Sequence, residues 1–164
     1  MVYFSRLDAL LYGVLTKLVK YGQVVIVTNA ANRWVDLSAN MVPNSKKVID
    51  KQIIVMSARE VFQNKYPNEV HMWKKLVFKQ LTDSYFIEHG LMNIVSVGDA
   101  EYEFNATTDL YDKHSVVKRK LLKTVRFIKD PTFDSLIDQL EVFDNCVHNI
   151  LISVKHYDLK FKDK

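Results

Sequence analysis

The feature that most constrains the fold is the segment NIVSVGDAEYE at residues 93–103. Its apolar run, Ile94 to Val97, is typical of a strand buried between two layers in a parallel sheet. Gly98 lets the chain turn sharply, so Asp99 comes to the carboxyl edge of the sheet, where open α/β folds bind their ligands. Asp99, with Glu103 four residues on, is therefore a candidate Mg²⁺ ligand, unless the acid merely caps a following helix.

Three other apolar runs predict strands, at Gln23 to Thr28, Gln52 to Met56 and Val125 to Ile128. Helices are predicted at residues 5–21, 34–41, 67–81, 101–113 and 131–154. The polar segment Asn44 to Lys51 is predicted to be a loop, and Ser5 with Asp8 fits a capping box at the first helix. Strands that alternate with helices predict one α/β domain over residues 1–164, a Rossmann-like, three-layer, doubly wound parallel sheet.

The formal charge of +4 is concentrated at residues 118–123 and in the tail at residues 155–164. Both stretches are interpreted as solvated surface, and the tail is a candidate for disorder. Basic and aromatic residues do not interleave as in single-strand nucleic-acid binders, so no nucleic-acid partner is expected. The single cysteine, Cys146, excludes an internal disulfide and fits a reducing compartment. No apolar run approaches a membrane span, so we expect a cytoplasmic protein without a membrane partner.

Three motifs occur in a definite order along the chain. VVIVTNA places Thr28 at the end of a strand, and VGDAEYE places Asp99 and Glu103 after another. Between them, in WKKL, helical periodicity turns Lys74 inward at the edge of the apolar stripe and Lys75 toward water. In order and spacing this set resembles the haloacid dehalogenase-like superfamily, whose members are mostly Mg²⁺-dependent phosphatases, over most of the chain.

The resemblance implies a phosphoryl site. Thr28 would donate its hydroxyl to a phosphoryl oxygen, with help from the backbone amides near Asn29 and Ala30, and Lys74 would neutralise charge on the same group. Asp99 would hold Mg²⁺, with Glu103 as a further ligand or as a residue that orients one. Such a site needs donors and cations, since the transferred group spreads negative charge over its oxygens.

One part of the family pattern is missing. The family's nucleophile is an aspartate in an Asp-x-Asp motif at the end of the first, central strand, and these 164 residues contain no Asp-x-Asp. Asp8 lies within a helical pattern and is interpreted as a capping acid. Because loss of a covalent nucleophile costs about 10⁶ in rate, we expect no efficient phosphatase turnover and only weak Mg²⁺ affinity.

The missing strand would lie between the Thr28 strand and the Asp99 strand. Those two strands are expected either to pair directly or to receive a strand from a partner chain.

Three hypotheses for function remain open. The first is a phosphatase whose first strand is missing from the sequence as given. The second is a natural pseudophosphatase that holds a phosphorylated ligand or a protein partner, and the third is a Rossmann-like scaffold without a ligand.

Overall fold

The chain folds into helices and parallel strands that alternate along most of its length. The computed structural model describes residues 2–89, 92–110 and 120–163. In chain order the elements are α1 (Val2–Tyr21), β1 (Val25–Thr28), α2 (Asn32–Ala39), α3 (Pro43–Gln52), β2 (Ile54–Ser57), α4 (Ala58–Phe62), α5 (Val70–His89), β3 (Met92–Gly98), α6 (Glu101–Asp109), β4 (Lys120–Arg126), α7 (Phe133–Ile152) and β5 (Tyr157–Lys160).

The strands form two small parallel sheets. In the first sheet β1 pairs with β2, and Thr28 lies opposite Ser57. In the second sheet β4 lies between β3 and β5, and Arg126 lies opposite Gly98 on one side and Lys160 on the other. The predicted α/β class with parallel strands is confirmed. The expectation that the Thr28 and Asp99 strands pair directly is wrong, because among the described residues β1 and β3 share no backbone ladder.

The strands β1 and β3 run in the same direction. The carboxyl end of α1 meets the carboxyl end of α7, where the Tyr21 hydroxyl forms a hydrogen bond with His148 Nδ1. Strand β1 begins just after α1 ends. At the start of β3, Asn93 Nδ2 donates to the carbonyl of Leu151 near the end of α7, at 2.7 Å. Both strands therefore begin at the same end of the molecule. Toward the other end, the first turns of α5 reach both strands, since Trp73 packs on Val27 and Lys74 pairs with Glu103 just after β3.

Helices cover both faces of the first sheet. Ile26 packs with Leu15 of α1 and Val48 of α3 in one cluster. Its neighbour Val27 packs with Trp73 of α5 in another. Because successive strand residues point to opposite faces, α1 and α3 lie on one face and α5 lies on the other.

The second sheet is covered in the same way. Val95 and Val125 pack against Val14 of α1 and Phe143 of α7. On the other face, the Phe104 ring of α6 lies under the Arg126 guanidinium, 4.0 Å from ring centroid to Cζ. Helix α1 thus packs against both sheets.

The segment Asn44 to Lys51 is not the predicted loop, since it lies within helix α3. Pro43 occupies the first turn, where its missing N–H costs nothing. The buried Asp8 carboxylate accepts hydrogen bonds from the backbone amides of Asn44 and Ser45, at 3.0 and 2.8 Å. Asp8 therefore caps α3, and its predicted place in a capping box of the first helix is wrong.

The tail is not disordered as predicted, because Tyr157–Lys160 forms β5. Leu159 and Phe161 pack into the cluster around Val125. The interpretation of Lys123 as a solvated residue is also wrong. Its side chain is fully buried, and its Nζ donates to carbonyls at the end of α7, including that of Ser153 at 2.6 Å.

Other boundaries shift by a few residues. Helix α5 runs to His89, eight residues past the predicted end. Strand β4 begins at Lys120, earlier than predicted. The last predicted residues of the helix at 101–113 lie outside the described residues. In the part of the chain that the structure describes, no helix has both the length and the apolarity to cross a membrane.

Candidate functional site

The polar residues predicted from sequence gather at the carboxyl edge of the strands. Thr28 ends β1, Ser57 ends β2, and Asp99 follows Gly98 at the end of β3. Helix α5 brings its first turns to the same edge, because Trp73 packs on Val27 while Lys74 reaches Glu103 of α6. We call Thr28, Ser57, Lys74, Asp99 and Glu103 the carboxyl-edge cluster.

The turn after β1 is held by side-chain hydroxyls. Thr28 Oγ1 accepts a hydrogen bond from the Ala30 amide at 3.0 Å, which leaves the hydroxyl hydrogen free to donate elsewhere. Ser57 Oγ donates to the Ala30 carbonyl at 2.6 Å. The Ala30 amide that was predicted to bind phosphate is thus already engaged by Thr28.

Ser57 is a site residue that the sequence prediction missed. Its side chain is buried, and besides bonding Ala30 its Oγ accepts from the Glu60 amide at 3.0 Å, as the N-cap of α4. The sequence signal was present, since Ser57 followed by Glu60 has the spacing of a capping box. Ser57 therefore ties the end of β2 to the turn after β1.

The Asn29 side chain has an unpaired oxygen. Its Oδ1 is buried and has no hydrogen-bond partner among the described residues. An amide oxygen only accepts hydrogen bonds or ligates cations. Asn29 Oδ1 thus lacks a donor or a cation, and a phosphoryl oxygen would not satisfy it.

Lys74 and Glu103 form an ion pair that is largely withdrawn from water. Their side chains are 12% and 11% exposed. Burial lowers the pKa of Lys74, and the nearby Asp99 carboxylate partly opposes that shift. As predicted from periodicity, Lys75 is the more exposed lysine; it pairs with Asp109 at 2.9 Å.

Both carboxylate oxygens of Glu103 are committed within the chain. Oε1 pairs with Lys74, and Oε2 accepts from the Ala100 amide at 3.1 Å. The glycine at position 98 makes this conformation possible, since a Cβ there would lie 2.5 Å from Glu103 Cγ. Glu103 thus acts in this structure as the counterion of Lys74 and as a cap of α6.

The donors at this edge do not make a complete Mg²⁺ site. Asp99 is exposed at the mouth of the cluster, while Glu103 is occupied by Lys74. Within the described ranges no group of three or more His, Cys, Asp or Glu residues is placed to hold a metal ion. Mg²⁺ can bind through one or two carboxylates when a phosphate supplies further oxygens. Magnesium binding by Asp99 and Glu103 stays a prediction.

A separate cavity of about 570 Å³ lies between the two sheets. Its walls include Val25 and Val27 of β1, Val95 and Val97 of β3, and apolar side chains of α5. Glu103 lies on its wall, whereas Thr28, Lys74 and Asp99 do not line it. The cavity therefore adjoins the carboxyl-edge cluster through Glu103 but is distinct from it.

Comparison with known proteins identifies no relative. No protein-family model, curated protein or solved structure matches this chain. The structure itself defines a class, an α/β protein with parallel sheets and polar residues at their carboxyl edge. The resemblance to the haloacid dehalogenase-like superfamily rests on the sequence motifs alone.

Proposed function

We propose that this chain is a haloacid dehalogenase-like, phosphatase-type domain that binds a phosphoryl group without hydrolysing it. The observation that carries the proposal is the position of Lys74, a largely buried cation at the edge where β1 and β3 both end. Ligands of open α/β folds bind outside the carboxyl ends of the strands. A cation held there in low-dielectric surroundings attracts an anion more strongly than a surface lysine does.

The Lys74–Glu103 ion pair suits a site that exchanges one anion for another. Lys74 Nζ has three donor hydrogens, and a phosphoryl oxygen can share or replace its contact with Glu103. Among the described residues the Thr28 hydroxyl accepts from the Ala30 amide and donates to no group, so it keeps a hydrogen for a ligand. Thr28 and Lys74 are therefore the two residues proposed to contact the phosphoryl group.

The proposed function does not include hydrolysis of the bound phosphoryl group. The sequence has no Asp-x-Asp, and the buried Asp8 carboxylate is committed to the cap of α3. A site without its nucleophile retains binding but loses about 10⁶ in rate. The function that follows is that of a pseudophosphatase, which recognises a phosphorylated ligand and holds it.

The test is phosphate binding by matched lysine variants. Inorganic phosphate is titrated into the protein at low salt. Binding is followed by NMR, from the broadening of the phosphate ³¹P line and from changes in the backbone amide resonances of residues 28–30. We expect Lys74→Met to weaken binding about tenfold or more, since it removes a charge-assisted contact, and Lys75→Met to leave it within about twofold. Thr28→Val should weaken binding less than Lys74→Met.

Three outcomes would contradict the proposal. Equal loss in Lys74→Met and Lys75→Met would indicate general electrostatic attraction to a basic protein. Hydrolysis of p-nitrophenyl phosphate with Mg²⁺, abolished by Asp99→Asn, would instead support the enzyme hypothesis. Absence of phosphate binding by the unaltered chain would leave the ligand-free scaffold as the better hypothesis.

A further inference from the structure

We propose that the cavity between β1 and β3, here called the strand slot, binds an extended apolar peptide segment from outside the described residues as an additional strand. The strand slot is lined by residues of β1 on one side and of β3 on the other. It is independent of phosphate binding, because Thr28 and Lys74 do not line it.

The backbone of β1 turns half of its polar groups toward the strand slot. The Ile54 amide of the neighbouring strand donates to the Val24 carbonyl at 3.3 Å, so Val24 faces β2. Successive residues of a strand direct their backbone N–H and C=O to opposite sides. Ile26 therefore also faces β2, while Val25 and Val27 face the strand slot.

The same geometry holds for β3. The Phe127 amide donates to the Gly98 carbonyl at 2.8 Å, so Gly98 and Ser96 face β4. Val95 and Val97 then direct their N–H and C=O groups into the strand slot. Within the described part of the chain, neither β1 nor β3 has a strand on this side.

The backbone N–H and C=O groups that β1 and β3 direct into the strand slot favour an extended peptide as the occupant, because such a peptide can pair with both strands. Buried backbone groups are almost always paired, and an open strand edge is a template for another strand. Since β1 and β3 run in the same direction, one inserted strand would join the two sheets into one. A compact apolar ligand could fill the volume but could not pair with both strands.

The two covered faces determine the side chains of the occupant. Helix α5 presents Phe78, Leu81 and Tyr85 to the cavity from one face. On the other face, α1 packs against the neighbouring strand residues Ile26 and Val95. A strand enclosed on both faces is apolar throughout rather than alternating. The edge of β1 is four residues long, which matches an insert of four or five residues.

A second copy of this chain is a poorer occupant. Within the described ranges, the β-branched apolar runs at Val25–Thr28, Ile54–Ser57 and Met92–Gly98 are already strands of the two sheets. A second copy would have to release one of these strands from its own sheet in order to place it in the strand slot of the first copy. The occupant is therefore inferred to be a segment that the described residues do not supply.

The first test uses a designed probe peptide, a Val-Ile-Val-Val core with two lysines on each side and blocked ends. The flanking residues are lysines because this chain has a net charge of +4, so their positive charges are repelled and do not favour binding. The control peptide has the same side chains but carries N-methyl groups on alternate core amides, so it cannot donate along one edge. Binding is measured by fluorescence anisotropy of labelled peptides, and contacts by amide hydrogen exchange.

We expect saturable binding of the probe peptide and about tenfold or more weaker binding of its N-methyl control. Exchange should slow at the amides of Val25, Val27, Val95 and Val97. Equal binding of the two peptides, protection confined to other amides, or no binding up to the solubility limit would each overturn the proposal. So would protection of these amides by self-association without peptide, measured by sedimentation.

A second test alters the protein at one backbone donor. Val97 is 40% exposed and its amide faces the strand slot, so Val97→Pro removes that donor without breaking the ladder to β4. Val97→Ala is the matched control, which loses the side chain and keeps the N–H. We expect Val97→Pro to weaken probe binding about tenfold and Val97→Ala to change it less than threefold. If Val97→Pro fails to fold, the comparison of the two peptides decides.

Discussion

Asp8 shows how one buried carboxylate can organise a neighbouring helix. It is 3% exposed, and it accepts from the amides of Asn44 and Ser45 as well as from the Ser45 hydroxyl at 2.8 Å. These donors lie in the first turn of α3, where backbone amides have no partner within the helix. Burial alone would raise the pKa of Asp8, but the hydrogen bonds from Ser45 and Asn44 outweigh it, so the pKa is lowered below its usual 3.8.

Replacing Asp8 should destabilise the fold in a pH-dependent way. We expect Asp8→Ala to lower the free energy of unfolding by about 2–3 kcal/mol at pH 7, because a charged cap is lost and buried amides are left unpaired. The pKa of this group is lower in the folded than in the unfolded state. Its stabilisation is therefore full above pH 3.8 and is lost as the pH falls through the lowered value.

Urea unfolding at pH 7 and near pH 3 would check this prediction. The difference between the unaltered chain and Asp8→Ala should shrink toward low pH. Asp138→Ala, at an exposed position of α7, is the control and should change stability by less than about 0.5 kcal/mol. An Asp8→Ala protein as stable as the control at pH 7 would rule out the capping role.

At the scale of whole elements, β5 completes the second sheet and secures its neighbour. The Asp158 carboxylate pairs with Arg126 and accepts from the Thr124 hydroxyl at 2.6 Å. Burial tends to raise the pKa of Asp158, but these partners reverse the effect and lower it. A segment that looks like a charged tail thus covers one edge of β4.

Removing β5 should cost much more than shortening the terminus. Deletion of residues 155–164 exposes the edge of β4 and takes Leu159 and Phe161 out of the core, so we expect a loss of about 3 kcal/mol or more. Deletion of residues 162–164 is the matched control and should change the melting temperature little. Thermal unfolding by circular dichroism distinguishes the two deletions, and similar melting temperatures for both would mean that β5 contributes nothing.

For the molecule as a whole, α1 is an element that joins the two sheets. Neighbouring residues of this helix point into different clusters, because Val14 packs with Phe143 and Val147 while Leu15 packs with Ile49 and Ala39. Successive helical residues are about 100° apart, so one helix can serve two cores. Because α1 belongs to both cores, we expect the two sheets to unfold together.

We expect Val14→Ala and Leu15→Ala to shift one common unfolding transition. The cost is about 1–3 kcal/mol for Val14→Ala and about 2–4 kcal/mol for Leu15→Ala. Tryptophan fluorescence reports on Trp34 and Trp73 around the first sheet, and far-ultraviolet circular dichroism reports on all helices. The exposed Leu37→Ala is the control. Two separate transitions, each moved by only one variant, would show that the sheets are independent.

Much of the candidate site could be predicted because it depends on local patterns. The buried runs of Val, Ile and Met located β1, β2 and β3 within a few residues, and the polar residues after them were placed at one edge by parallel topology. Helical periodicity separated the withdrawn Lys74 from the more exposed Lys75. The pairing of Lys74 with Glu103 was not predicted, since two residues on different helices meet only through packing.

Hydrophobic periodicity and composition indicate which side chains of a segment are buried and which face water. They were therefore sufficient to predict the α/β class, the order of most strands and the inward position of Lys74. They do not state which distant group supplies a hydrogen bond. The cap that Asp8 gives to α3 and the burial of Lys123 against the end of α7 arise when separate elements pack. In the segment that forms β5, apolar side chains alternate at Tyr157, Leu159 and Phe161, which is compatible with a strand. It is a strand in this structure because it pairs with the open edge of β4. The strand slot depends on the tertiary structure in the same way, because two edges face one another only after both sheets have packed on α1.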